Sequence, residues 1–254
     1  MLVEVLFWPA ILAYGEAAVA YASARTASAA TWGVRIGWLA QTALLIAQAA
    51  HSDGFPWASW AGSLNLFVWL VVSAYLIWGC RPRFRLLGLI VMRLAALLFV
   101  VARVAGGTGA GAHSHYSNLF LVLHVGLVLA GFAGFTLAAA LAALYLWEEH
   151  RLKRRSADIL RLRLPPLATL ERLTARVIAV SLPLLTLGLV AGIVRLREDG
   201  GSVDALEALT VFTWLVYGGF IVARPTGNRA AVVALGGFLL VIVARLALSG
   251  SHFA

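Results

Sequence analysis

From Leu119 to Trp147 the chain carries no charged side chain, and at Glu148 the run stops against a block of charge that includes Arg151, Lys153, Arg154 and Arg155. As a helix rising about 1.5 Å per residue, it is long enough to cross a hydrocarbon core of about 30 Å with a turn to spare. The run therefore predicts a membrane-spanning helix with a histidine, His124, near one end and an anchoring basic block at the other. The remainder of the chain repeats the pattern. Hydrophobic residues make up 62% of the 254 residues and charged ones 12%, too little charge to cover a soluble surface.

Apolar runs separated by Gly, Pro and charge give eight candidate spans, at about 2–24, 33–50, 60–79, 86–105, 118–147, 173–196, 206–223 and 230–250. The predicted fold is all-α: one transmembrane domain over 1–254, a polytopic bundle of eight helices. Positive charge gathers in alternate connections, with only Arg197 in the others and Arg103 and Arg195 near span ends. Arg25 and Arg35 flank the first, Arg81, Arg83 and Arg85 fill the third, Arg151, Lys153, Arg154, Arg155, Arg161, Arg163 and Arg172 fill the fifth, and Arg224 and Arg229 flank the seventh. Read by the positive-inside rule, these connections are cytoplasmic and both termini lie outside. The expected location is a bacterial cytoplasmic (inner) membrane, with lipid as the surrounding partner. The first run holds Glu4 and Glu16 and has no basic leader, so it reads as a span and not as a cleavable signal.

The net charge of +9 is thus topological, and no nucleic-acid partner is expected. A single cysteine, Cys80, with no CxxC or CxxCH, gives no support for thiol redox chemistry or covalent haem attachment. No GxSxG, P-loop or GxGxxG motif occurs, and no carboxylate pair is set for acid–base work, so the chain is not expected to be an enzyme.

The topology sends His51, His113, His115, His124 and His252 to the outer side, and only His150 to the cytoplasmic side. Imidazole nitrogens readily ligate iron, and His124 and His252, on spans 5 and 8, are placed to hold a b-type haem between two helices. A packing histidine at 124 and a solvated one at 252 are the plainer readings. Zinc is the competing metal, but no HExxH accompanies the HSH at 113–115. His51 is a lesser candidate ligand. Arg103 and Arg245, in the outer parts of spans 4 and 8, are either snorkelling cations or partners for the carboxylates of an anionic ligand. Glu16 and Arg93 sit at compatible depths for a structural ion pair. Segment 148–172, with its diproline Pro165–Pro166, is either a basic connector on anionic lipid or a docking surface for a cytoplasmic protein.

Several stretches resemble the cytochrome c assembly superfamily, the CcsA/ResC group with its smaller HemX and YpjD relatives. HSDGFPWASWAGSLNLFVW resembles the segment in which a polar loop with proline precedes a Ser- and Asn-bearing span entry. HYSNLFLVLHVGLVLAGFA resembles the span with the first outer haem-ligand histidine, here His124. LRLPPLATLERLTARVIAVSLPLLTLGLVAGI is similar to the HemX/YpjD connector and following span. The C-terminal pair of spans places His252 at the second outer histidine. Two family features differ. The WxWDPKE motif is represented by SVDALEA, which keeps Asp204 and Glu207 without a tryptophan, and the intramembrane histidine after it falls on Val222. The resemblance so implies a HemX-like protein that binds haem b through His124 and His252. Its cytoplasmic segment would then act in control of glutamyl-tRNA reductase. A haem-delivery factor for cytochrome c maturation and a non-haem membrane scaffold are the alternatives.

Overall fold

The computed structural model describes residues 2–23, 25–51, 57, 59–81, 84–108, 119–154, 165–199 and 205–247. These form eight helices: α1 (Leu2–Ala20), α2 (Ala27–His51), α3 (Trp60–Trp78), α4 (Arg85–Val104), α5 (Leu119–Lys153), α6 (Leu167–Asp199), α7 (Ala205–Ala223) and α8 (Gly227–Ala247). No strand is present among the described residues. The described parts of α3, α4, α5 and α6 are each long and apolar enough to cross a membrane, and α1, α7 and α8 are apolar over shorter described stretches. In α2, Arg35, Gln41, Thr42 and Gln48 interrupt the apolar sequence.

Several helix ends depart from the apolar runs because caps, not hydropathy, set them. Ser59 opens α3, its hydroxyl accepting the Gly62 N–H at 3.0 Å. α5 ends at Lys153, and after the diproline the Pro166 carbonyl accepts from Thr169 and Leu170 to start α6 six residues ahead of the predicted span. α6 runs on through Pro183. α5 continues past Trp147 to Lys153, held by a Lys153–Glu149 ion pair of 2.8 Å one turn apart. Glu149 also accepts from Asn228 of α8 at 3.2 Å. At the start of α8, Gly227 adopts φ +59° and donates its N–H to the Glu171 carboxylate at 3.1 Å, a negative group on a helix N-terminus.

α5 is the central helix, packed on α3, α4, α6 and α8, and its most extensive partner is α6. α1 packs on α2 and α4, α2 on α3, and α7 on α6 and α8. Aromatic side chains fill the space between: Phe99 meets Phe7 and Tyr14, and Phe135 of α5 stacks on Tyr217 of α7 at 3.7 Å. Many large apolar side chains point outwards, among them Trp8, Leu12, Ile36, Leu39, Leu187 and Leu215. In water such a surface is a liability, whereas in lipid it is the solvated face. Helices meeting in lipid gain little from burying apolar area, so close backbone approach has to carry the packing.

The expected Glu16–Arg93 ion pair does not form. Both residues are exposed, on outward faces of their helices. α1 turns Ala13, Tyr14 and Ala17 inwards and α4 turns Val91, Met92, Ala95 and Phe99 inwards. Compatible depth put the two charges at one level, but helix rotation put them on outward faces.

Candidate functional site

α5 and α6 run antiparallel in a register that glycines define. A Cβ on Gly134 would collide with the Ser181 side chain, one on Gly131 would lie 2.9 Å from the Leu185 Cβ, and one on Gly188 would lie 2.7 Å from a Val128 methyl. The next step of the same register brings Gly192 against His124, where a Cβ would lie 2.6 Å from the imidazole Cε1. His124, five residues into α5, is thereby packed against the α6 backbone at Gly192.

The His124 Nδ1 lies 2.7 Å from the Gly188 carbonyl oxygen. A carbonyl only accepts, so Nδ1 carries the proton, and the lone pair of the neutral ring is on Nε2. Histidines that bind metals commonly donate their other ring N–H to a carbonyl in this manner, which fixes the tautomer and orients the ring. The chemistry of this side chain therefore fits an axial iron ligand. Among the described residues, no group of three or more His, Cys, Asp or Glu is arranged to hold a metal ion by itself.

The other predicted site residues are spread out. His51 ends α2, exposed, with Nδ1 2.8 Å from the Ala47 carbonyl of its own helix, and α2 packs on α1 and α3, away from the α5–α6 pair. Arg103 is half-buried at the end of α4, its guanidinium 5.6 Å above the Phe7 ring of α1, a cation–π contact. Arg245 belongs to α8, with its side chain outside the described part. His252, His113 and His115 lie outside the described residues, as does most of segment 148–172 beyond Arg154.

A second buried polar locus joins α1, α2, α3 and the turn after α4. The Tyr14 hydroxyl donates to the Gln41 carbonyl oxygen at 2.7 Å, and the Gln41 amide donates to Asn65 Oδ1 at 2.9 Å. The Asn65 amide donates to Gln48 Oε1 at 2.9 Å, and Gln48 donates to the Gly107 carbonyl at 3.1 Å. Gln41 and Asn65 are wholly buried. Sequence reading did not single out the two glutamines. Their spacing of seven puts them on one face of α2, a signal that was available. Gly188 and Gly192 were likewise missed, because glycines within apolar runs are ordinary in membrane helices.

With this geometry in hand, similarity to known proteins becomes informative. Residues 57–251 match the family described as "Cytochrome C assembly protein", a stretch that includes His124, Gly188, Gly192 and Asn65. A cytochrome c biogenesis protein CcsA from Gloeothece citriformis is 27% identical over 271 aligned positions, covering 85% of this chain and 83% of the relative. The CcsA protein of Microcystis aeruginosa is 26% identical over 84% of this chain and 82% of its own length. That of Guillardia theta is 32% identical over half of each chain. These matches correct one expectation. The relatives are named for cytochrome c biogenesis, so assignment to HemX-type regulation of tetrapyrrole synthesis, with glutamyl-tRNA reductase as partner, is overturned. The stretch that suggested it, 162–193, is described from Pro165 on and forms the entry and body of α6, and a basic, proline-broken entry to a long apolar helix is not particular to one branch of the family.

Proposed function

The chain belongs to the cytochrome c assembly protein family, and from that premise we propose that it handles haem on the outer side of a bacterial cytoplasmic membrane during cytochrome c maturation. The observation that carries the reading is the His124 side chain, tied through Nδ1 to the Gly188 carbonyl within the α5–α6 pair. On this reading all eight helices cross the membrane, both termini lie outside, and His124 and His252 are the iron ligands of a haem b. Arg103 and Arg245 then lie at the outer level, where the haem propionates need cations. His51 is a reserve ligand.

When bound, haem is the group destined for the cytochrome, and the protein holds and presents it without catalytic residues of its own. Each part has a physical task. The α6 backbone orients the imidazole and excludes water from one side of it. The apolar helix faces receive a flat hydrophobic macrocycle, and the basic connections hold the bundle in one orientation, with the histidines on the outer face. The SVDALEA segment, in place of a tryptophan-rich loop, fits delivery better than ligation to the apocytochrome.

The reading is tested in cells. Deleting the gene is expected to abolish covalently bound haem in membrane cytochromes, seen as loss of haem-stained bands on denaturing gels, while b-type spectra persist. The wild-type gene restores the bands and His124→Ala does not. Intact c-type cytochromes in the deletion strain would rule the proposal out and leave the scaffold reading.

A further inference from the structure

In a helix each Cα–Cβ bond leans toward the N-terminus, so a side chain covers the turn before its own Cα. The side chain at 192 would thus overhang the carbonyl of residue 188. Position 192 is glycine, and the Gly188 carbonyl is uncovered on the side facing α5. His124 uses both consequences: its ring occupies the space where the 192 side chain would stand, with the hypothetical Cβ 2.6 Å from Cε1 and 2.9 Å from Nδ1, and its Nδ1 reaches the uncovered oxygen at 2.7 Å. The ring also cannot move far along α6. One turn further along the register, the Gly188 Cα faces Leu127 and Val128, so α5 is pressed against α6 just below the imidazole.

We propose that Gly188 and Gly192 form a positioning notch that fixes His124 as the Nδ1–H tautomer and presents Nε2 as its metal-binding nitrogen. The proposal rests on the haem-handling reading for its purpose, but not for its geometry. Gly192 and Gly188 are positioning residues: they act through His124 and touch no ligand. The notch commits the ring before any metal arrives, so binding does not have to select among rotamers or tautomers. A side chain at 192 displaces the ring from the carbonyl, and loss of a partner of this kind weakens metal binding by roughly 10–100-fold.

The test uses the full chain in detergent micelles. Haemin is titrated into the wild type, Gly192→Ala, His124→Ala and, as a control, Gly218→Ala, whose added methyl meets open space. Absorbance in the Soret region reports binding. In parallel, protein labelled with 15N only at histidine is examined by NMR without haemin, and His124→Ala identifies the signals of residue 124. The expected result is an Nδ1–H tautomer at His124 in the wild type, lost or mixed in Gly192→Ala, together with a haemin affinity lowered roughly 10–100-fold and unchanged in Gly218→Ala. If the wild type binds haemin, His124→Ala does not, and Gly192→Ala binds as tightly as the wild type, the notch is wrong and the haem reading stands. If no variant binds haemin while the tautomer behaves as expected, the haem reading fails and the notch stands. An Nε2–H tautomer in the wild type overturns the notch by itself, even if Gly192→Ala does not fold.

Discussion

The two halves of the bundle bury polar groups in different ways. In α1–α4 the side chains satisfy one another: Trp38 donates to Ser73 and Trp69 to Thr42, stitching α2 to α3, and the Tyr14–Gln41–Asn65–Gln48 chain ends on the Gly107 carbonyl. In the α5–α6 pair the contacts are glycine against side chain, and the polar side chain near the start of α5, His124, donates to a helix carbonyl. An amide network of the first kind uses each donor on a neighbour's acceptor and so serves as a rigid fixture. An imidazole whose Nδ1 donates to a carbonyl carries its lone pair on Nε2. The first half therefore reads as scaffold and the second as the half that carries the site.

The largest effect expected from breaking this contrast is on the scaffold side. Asn65→Leu removes partners from Gln41 and Gln48 at once. With about 1–3 kcal/mol for each buried group that loses a bond, it should destabilise the protein by about 2–4 kcal/mol, the lower part of the summed range because Gln41 still donates to the Asn65 backbone carbonyl at 3.1 Å and the unfolded chain in a micelle finds other partners. Thermal unfolding in detergent measures this, and haemin affinity of the folded fraction should not change. A large loss of affinity would mean that the halves are not separable. Next comes Gly107→Ala, whose new methyl would collide with the Ala61 carbonyl at the start of α3. Overpacking of this kind costs about 1–3 kcal/mol, again read as a lowered melting temperature with retained haemin binding.

Tyr217→Phe is the milder counterpart in the second half. It removes the bond from the Tyr217 hydroxyl to the Ala234 carbonyl, 3.0 Å long, and keeps the ring stacked on Phe135, so a loss of about 0.5–1.5 kcal/mol is expected. Lys153→Ala, which breaks the ion pair with Glu149 at an exposed helix end, should leave the melting temperature unchanged within error, since screened surface pairs contribute little.

The eight helices were legible in the sequence as apolar runs separated by Gly, Pro and charge. Helix ends were less so. α6 begins where the Pro166 carbonyl finds Thr169 and Leu170, and α8 where Glu171, from another helix, reaches the Gly227 N–H, and hydropathy records neither. His124 stood out as an imidazole in an apolar run, whereas its holder did not, because the meaning of Gly192 depends on what α5 places opposite it. Glu16 and Arg93 show the converse error: depth follows from counting residues, but rotation about the helix axis follows from packing, and Tyr14 and Phe99 decided it.

The central claim is that the second half of the bundle binds haem through His124. The most direct measurement is the optical spectrum of the purified, detergent-solubilised full chain with haemin added, for wild type and His124→Ala side by side. A Soret band of a histidine-ligated haem is expected in the wild type, lost in His124→Ala and partly restored there by added imidazole. Identical spectra from the two proteins, or no haemin uptake by the wild type, would contradict it.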